Sequence, residues 1–497
     1  MQRSFNPQLE LGAIPIEEIK FNPRSRDDIP QILRGLQFIY TCSTTRQAVF
    51  EVLQNHISGD INFDNGRPGM DLWVLLVLGT LRLGLNCDYD RLHDLANEHK
   101  TIRAMLGHGD WRDEHLYGLQ TLRDNVVLLT EEMLQEINAI IVKAGHALVK
   151  KKEDNELKGR CDSFVVETHV EYPTDTGMLW DAMRKSIILI ASLCQTNGVE
   201  GWRQASYNIL RLKSHWRKAQ RSNRSRQANA QEKKKKSHKA YLRIAHQYFE
   251  KTNDSIQQLQ EKVDPALSPE SWSRFQDKLE KIRQFQDYAA ILMDQINRRV
   301  LEEESIPSEE KIYSIFQPHT ESISKGKAGV PVELGIKVCI MEDQHQFILY
   351  HQVMEKLQDV DVAVPMVTET QKHFPSLNSC SFDKGFHSPS NQVDLCDHLE
   401  QVVLPKKGRL SSKEKIKTST PDYKKVRRQH SAVESAINAL EQHGLDRCPD
   451  HGVAGFRRYV ALSVFARNLQ RIGTILTEKE RAKLKRKQRW EPYRQVA

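Results

Sequence analysis

The chain has 497 residues, 39% hydrophobic and 28% charged. That composition supports two or three buried cores and is too polar for a membrane-embedded protein. The net charge of +8 is modest, yet residues 211–243 alone hold 13 Lys or Arg against the single acid Glu232, so the basic character belongs to discrete segments.

Residues 1–43 show no long periodic pattern. From there, Thr44–Leu53 and Met70–Leu85 have helical apolar spacing. The most apolar run, Leu72 to Leu81, stops at Arg82 after ten residues, well short of the roughly 18 that suggest a bilayer span. The first ten residues lack an apolar targeting stretch, so a cytoplasmic protein without membrane contact is expected. Thr130 before Glu131 and Glu132 reads as an N-cap with acids in the first turn, opening a helix through Leu134, Ile137 and Ile141. Residues 1–150 are expected to form an all-helical domain.

At Cys161 the period becomes two. Asp162, Phe164 and Val166 fall on one face of a strand, and Ser163, Val165 and Glu167 on the other. A turn-like Tyr172-Pro173-Thr174-Asp175 leads to a helix over Met178–Cys194, and a strand feeding a helix marks an α/β core. That core, expected over 155–200 and 309–475, is interrupted by a basic insertion, 201–308. Within the insertion a break at Pro265 and Pro269 precedes a seam at steps of three and four: Trp272, Phe275, Leu279, Ile282, Gln286, Ala289, Met293, Ile296 and Val300. The spacing predicts a helical hairpin, with a coiled-coil dimer contact as second choice.

Strand character returns at Leu334–Ile340, weakened by Gly335, and again at Phe347–His351, so a hairpin is expected. Cys380–Phe382 reads as a strand end entering a turn at Asp383-Lys384-Gly385-Phe386. His430–His443 reads as a helix with Val433, Ile437 and Leu440 buried, ended by Gly444. A basic tail over 476–497 completes the chain. The eight cysteines stand singly with no C-x-x-C pair, which argues against a zinc ribbon or a disulfide framework and for reduced thiols.

Two further basic stretches join 211–243: residues 406–428, ten Lys or Arg against Glu414 and Asp422, and 479–494, eight against Glu480 and Glu491. Such stretches most simply meet phosphate backbones; the plainer alternative is solvated faces and a frayed tail. The candidate DNA contacts are Arg217, Lys218, Arg221, Lys233, Lys234, Lys235, Lys236, Arg427 and Arg428, and Trp216 and Tyr241 interleave with the first group.

Three carboxylates stand out by position: Asp162 on the first core strand, Asp383 at the end of a later one, and Glu434 on the last core helix. Carboxylates from separate elements can hold two hard divalent cations and leave room for a substrate phosphate. Glu167, on the opposite strand face from Asp162, is expected to be a surface or helix-packing acid; Asp175 and Asp181 are read as a turn residue and an early helix acid. Asn438, one turn after Glu434, shares its face.

The words around the three acids resemble the motifs of the DDE transposases of bacterial insertion sequences. Asp162-Ser163-Phe164-Val165-Val166-Glu167-Thr168 with Tyr172-Pro173-Thr174-Asp175 is similar to their first-aspartate motif, Asp383-Lys384-Gly385-Phe386 to the second, and His430 to Asn438 to the glutamate helix. Ser314 to Thr320, Lys325-Gly326-Lys327 and Glu333-Leu334-Gly335 look like the strands between the aspartates. The group catalogued as ISNCY is the nearest likeness, and it reaches back to Arg67-Pro68-Gly69. The chain departs from many relatives in having Arg427, His430 and Glu441 where those carry Tyr and Arg before the glutamate and Lys after it.

The resemblance implies an α/β ribonuclease-H-like core, a mixed sheet with flanking helices, joined to an all-α N-terminal DNA-binding domain and a helical insertion. It implies that Asp162, Asp383 and Glu434 ligate two Mg²⁺ or Mn²⁺ ions for cleavage and strand transfer of DNA. The implied partners are the element's terminal inverted repeats and a target DNA, met as a homo-oligomer, with the protein nucleoid-associated when bound. A nuclease without strand transfer and a decayed or domesticated DNA-binding protein are the competing readings.

Overall fold

The computed structural model describes residues 12–57, 69–109, 114–149, 156–224, 229–262, 268–324 and 332–494. Arg67, Pro68, Val263, Pro265 and the Lys325-Gly326-Lys327 segment lie outside them, as do the side chains of 487–494 in the basic tail. The chain divides into two compact units, residues 1–169 with 335–497, and residues 170–334. No described helix is long and apolar enough to cross a membrane.

In the first unit, polar caps start the N-terminal helices. Asp27 accepts from the Ile29 N–H at 2.8 Å and opens Asp28–Thr41, a helix in a segment that shows no long periodic pattern in sequence. Asp71 accepts from the Trp73 N–H at 2.7 Å and opens Leu72–Gly84, buried along its whole length, which is why it is apolar on every face. Thr130 caps Glu131–Val149 through the Met133 N–H at 3.3 Å. These helices do not enclose a core of their own: their buried faces join the same hydrophobic cluster as the sheet and the long helix Gly452–Arg494. The expected boundary at residue 150 is therefore not a boundary between cores.

Seven strands form one mixed sheet: β1 (Leu157–Thr168), β2 (Glu321–Ser324), β3 (Val332–Glu342), β4 (Ile348–Met354), β5 (Leu377–Phe382), β6 (Gln401–Val403) and β7 (Arg447–Cys448). β1 lies between β3, antiparallel from Arg160↔Glu342 to Glu167↔Gly335, and β5, parallel through Cys161↔Phe382. β4 pairs antiparallel with β3, β6 parallel with β5, and β7 meets the end of β1. Gly335 suits this strand, because a Cβ there would lie 2.1 Å from the Val166 carbonyl oxygen.

The second unit is built from helices Asp175–Thr196, Ala205–Asn223, Ala230–Lys262 and Pro269–Ile296, with a separate core. The helix Asp175–Thr196, expected to belong with the first strand, instead packs against Pro269–Ile296. It moves the break in the chain from residue 200 to 169, and the return falls at 335 rather than 309. The physical reason is the seam: Phe275, Leu279, Ile282, Gln286, Ala289, Ile296 and Val300 are buried and need an apolar face to cover them, which Leu179, Met183, Ile187 and Ile190 supply. That burial within the chain leaves most of the second-choice dimer seam already occupied; Met293 is half-buried, and Trp272 is exposed and stacks on Phe275.

Candidate active site

Strand alternation fixes one face of the sheet. Lys158, Arg160 and Asp162 of β1 stand beside Ser379, Ser381 and the end of β5, since Lys158 pairs with Ser379 and Arg160 with Ser381. Asp383 directly follows Phe382, the last residue of β5 and the partner of Cys161, so the chain leaves the strand at Asp383 beside Asp162, the neighbouring strands being about 4.8 Å apart. The chain turns at Asp383 into the short helix Lys384–Phe386, anchored by Phe386, which is buried against Phe382. Gly385 passes so close to Asp359 that a Cβ would sit 2.7 Å from its Oδ2.

Glu434 stands in the first turn of the helix Ala432–Leu440, where a carboxylate is favoured by the helix N-terminus. Val433, Ala436 and Leu440 point into the core and Glu434 is exposed on the other side. This helix packs on β1. The expected continuous helix from His430 to His443 is in pieces: Pro421–His430 ends at His430, Ser431 donates its hydroxyl back to the Arg428 carbonyl at 2.9 Å, and Ala432–Leu440 follows. The last turn loosens at Glu441–Leu445 with Gly444 at φ 94°, the expected glycine stop.

The three acids meet electrostatically at Asp162. Burial pushes the half-buried Asp162 carboxyl up to about 7, and the carboxylates of Asp383, Asp359 and Glu434 push the same way. The Ser163 N–H, donating to Asp162 Oδ1 at 2.8 Å, opposes them. Among the described residues no three His, Cys, Asp or Glu side chains converge closely enough to hold one ion. Asp383 and Glu434 are both exposed.

Asp359, which the sequence reading did not single out, is the fourth acid. It begins the helix Asp359–His373, and its Oδ1 accepts from Ser163 Oγ at 2.7 Å and from Lys337 Nζ at 3.2 Å. It thereby braces the strand residue that hydrogen-bonds Asp162. In sequence it is one of two acids, with Asp361, in the first turn of a helix, a pattern that ordinary N-terminal charge preference explains. His430 also joins the site: its Nδ1 lies 3.0 Å from Ser381 Oγ. Burial pushes its imidazole down, while Asp383 and Glu434 draw it up.

The other singled-out acids have structural partners. Glu167 pairs with Arg447 at 2.7 Å, Asp181 with Arg184 at 2.9 Å, and Asp175, the first helical residue and buried, with Arg299 at 2.9 Å. Asn438 is exposed on the Glu434 helix. His443 is buried against the Leu83 and Gly84 carbonyls and Gln470.

Of the basic candidates, Arg427 and Arg428 are exposed in the last turn before His430, and Arg427 is within electrostatic reach of that imidazole. In the second unit Arg217, Lys218 and Arg221 are exposed on Ala205–Asn223, as are Lys233 and Lys236 on Ala230–Lys262. Lys234 and Lys235 are half-buried, and Lys235 pairs with Glu303 at 2.8 Å. The interleaved aromatics face inward: Trp216 stacks on Trp180 at 5.6 Å, and buried Tyr241 donates to the Thr176 carbonyl at 3.1 Å. They serve the core, because helical spacing puts them on the face opposite the charges. Comparisons with protein-family models, with curated proteins and with solved structures return no match for the chain.

Proposed function

We propose that the protein is a DDE-type DNA transposase with a ribonuclease-H-like core, cutting and joining DNA by metal-dependent phosphoryl transfer. One observation carries the reading: Asp383 and Glu434, 221 and 272 residues after Asp162 in the chain, both lie close enough to Asp162 for their charges to act on it, Asp383 just past the neighbouring strand and Glu434 on the helix that packs on β1. A carboxyl that burial pushes up to about 7, with three other carboxylates pushing the same way, marks a place that positive charge would relieve. A mixed sheet flanked by helices, with the first acid on β1 and the second just past the end of the parallel strand β5, supports the same fold reading.

The donor set fits hard divalent cations in charge and chemistry. Asp162, Asp383 and Glu434 would hold two Mg²⁺ or Mn²⁺ ions through oxygen ligands, and the exposed Asp383 and Glu434 side chains have solvent space in which to turn toward them. When bound, such ions stabilise the charge on the attacking and leaving oxygens of an in-line displacement at phosphorus. The chain's own residues do the rest. Lys337 neutralises Asp359 and so fixes Ser163 beside Asp162. Ser381 holds the His430 ring, and Arg427 and Arg428 carry positive charge to the same end of that helix, where a DNA phosphate is attracted. The exposed Arg217, Lys218, Arg221, Lys233 and Lys236 of the second unit, with the half-buried Lys234 and Lys235, add sequence-independent affinity for the element ends.

The test is cleavage and joining of a plasmid bearing the gene's own flanking ends, with wild type and Asp162→Asn, in Mg²⁺ and in EDTA. Joined products that require Mg²⁺ and vanish with the substitution, a loss of at least about 10³-fold in rate, are the expected result. Cleavage without joining would instead assign a nuclease. Binding without any cleavage by the wild type would assign a DNA-binding protein.

A further inference from the structure

The face of β1 that carries Asp162 continues away from it as Arg160 and Lys158, and these two residues enter a cavity of about 460 Å³. Its other walls are Gln401 of β6, Gln344, and one side of the helix Pro421–His430: Asp422, Lys425, Val426 and Gln429, at helical steps of three, one and three. We propose that this cavity is a nucleotide subsite, taking one nucleotide of a single-stranded DNA segment that continues from the scissile phosphate. The placement of the scissile phosphate rests on the function proposed above; the chemistry of the cavity does not.

The wall is mixed in the way a nucleotide needs. Lys158 and Lys425 are exposed and carry no ion pair among the described residues, so both are available to a phosphate. Arg160 is held in place by Glu342 at 3.0 Å, and Gln344 by the Lys158 N–H and the Glu156 carbonyl, each at 2.9 Å, so these two shape the wall. Gln401 spends its Oε1 on Ser379 at 3.1 Å, and its amide NH₂ has no protein partner among the described residues. Gln429 has both amide functions available, and the Asp422 carboxylate can accept from an exocyclic amine. Inorganic phosphate would use the lysines alone; a base edge uses the amides and the carboxylate. The volume falls in the usual range for small-ligand pockets.

The cavity is also connected to the acids. Lys158 and Asp162 are four residues apart on one strand, about 13 Å, and the wall helix ends at His430, which bonds Ser381 and feels the charges of Arg160, Asp383 and Glu434. A DNA strand lying along this face would meet the carboxylates at one end and the cavity at the other.

The experiment uses the full chain with Asp162→Asn and no divalent metal. A fluorescein-labelled hexadeoxycytidylate and its abasic counterpart are titrated by anisotropy from 50 to 300 mM NaCl. Lys158→Ala with Lys425→Ala should weaken binding about tenfold at 0.1 M salt and lower the slope of log K against log salt by about 1.4. Gln401→Ala with Gln429→Ala should leave the slope unchanged and remove the preference for the cytosine-bearing probe over the abasic one. Inorganic phosphate should compete far less well than deoxycytidine monophosphate. Unchanged affinity and slope in the lysine variant, at an unchanged thermal midpoint, would overturn the proposal. So would equal binding of the two probes by the parent, or equal competition by phosphate. Absence of cleavage by the wild type, with intact probe binding by the Asp162→Asn chain, would remove the proposed function and keep the subsite, whereas cleavage by the wild type with no subsite binding would do the reverse.

Discussion

Asp162 is the residue at which the charge of the site is concentrated, and its titration gives a test independent of any substrate. Its folded pKa of about 7 lies above the ordinary unfolded value near 4. Between those pH values the folded chain keeps a proton that the unfolded chain has lost, so stability falls as pH rises from about 4 to 7 and the penalty is complete above 7. Asp162→Asn removes that penalty. Urea unfolding of the first unit should find the variant equal to wild type at pH 4 and about 2–4 kcal/mol more stable at pH 8. Glu131 and Glu342 are also pushed to about 7 by burial, so the difference between the two proteins, not the slope of either, is diagnostic. Equal stability at pH 8 would show that neither burial nor the neighbouring carboxylates raise the Asp162 carboxyl. Asp162, Asp383 and Glu434 were singled out in the sequence by their surrounding words. Asp359 was not, because a first-turn acid is common and only the packing of its helix under Ser163 gives it another use.

Among the elements, periodic patterns translated well where a single neighbour decides the buried face. The strand at Asp162, the β3–β4 hairpin and the helix capped by Thr130 all appear where the spacing predicts them. Where the expected helix from His430 to His443 fails, it is interrupted at Ser431 between Pro421–His430 and Ala432–Leu440. In the helix Gly452–Arg494 a glycine is set by packing rather than by helix propensity. A helical glycine ordinarily weakens a helix relative to alanine by about 1 kcal/mol, but a Cβ on Gly473 would lie 1.8 Å from the Gln31 carbonyl oxygen of Asp28–Thr41. Gly473→Ala is therefore expected to destabilise the first unit by about 3 kcal/mol or more through overpacking, despite the better helix propensity. Circular dichroism melting checks it: a midpoint within a degree of wild type would mean that the two helices separate at little cost.

At the scale of the whole chain, long-range pairs knit the first unit from its two sequence halves. Arg82, 3% exposed, donates to both carboxylate oxygens of Asp450, at 2.5 and 3.0 Å, and lies over the rings of Tyr89 and Tyr459. Asp450→Ala would strand that buried guanidinium, and a loss of about 3–5 kcal/mol is expected. Arg82→Met with Asp450→Ala should recover most of it, as equilibrium unfolding of the single and double variants would show; additive losses would mean the pair is not coupled. No pattern in the sequence announces this pair, since an arginine ending an apolar run reads only as a stop. What the sequence by itself determined was local: which segments are helices or strands, where the basic charge lies, and which three acids sit in distinctive words. Those depend on neighbours within a few positions. The tertiary structure alone decided that the N-terminal helices and the sheet share one core, that the helix after β1 leaves with the insertion, and that Asp359 and a basic, amide-lined cavity flank Asp162. Each of these depends on apolar faces finding cover far along the chain, and burial by a distant partner leaves no periodic trace at either end.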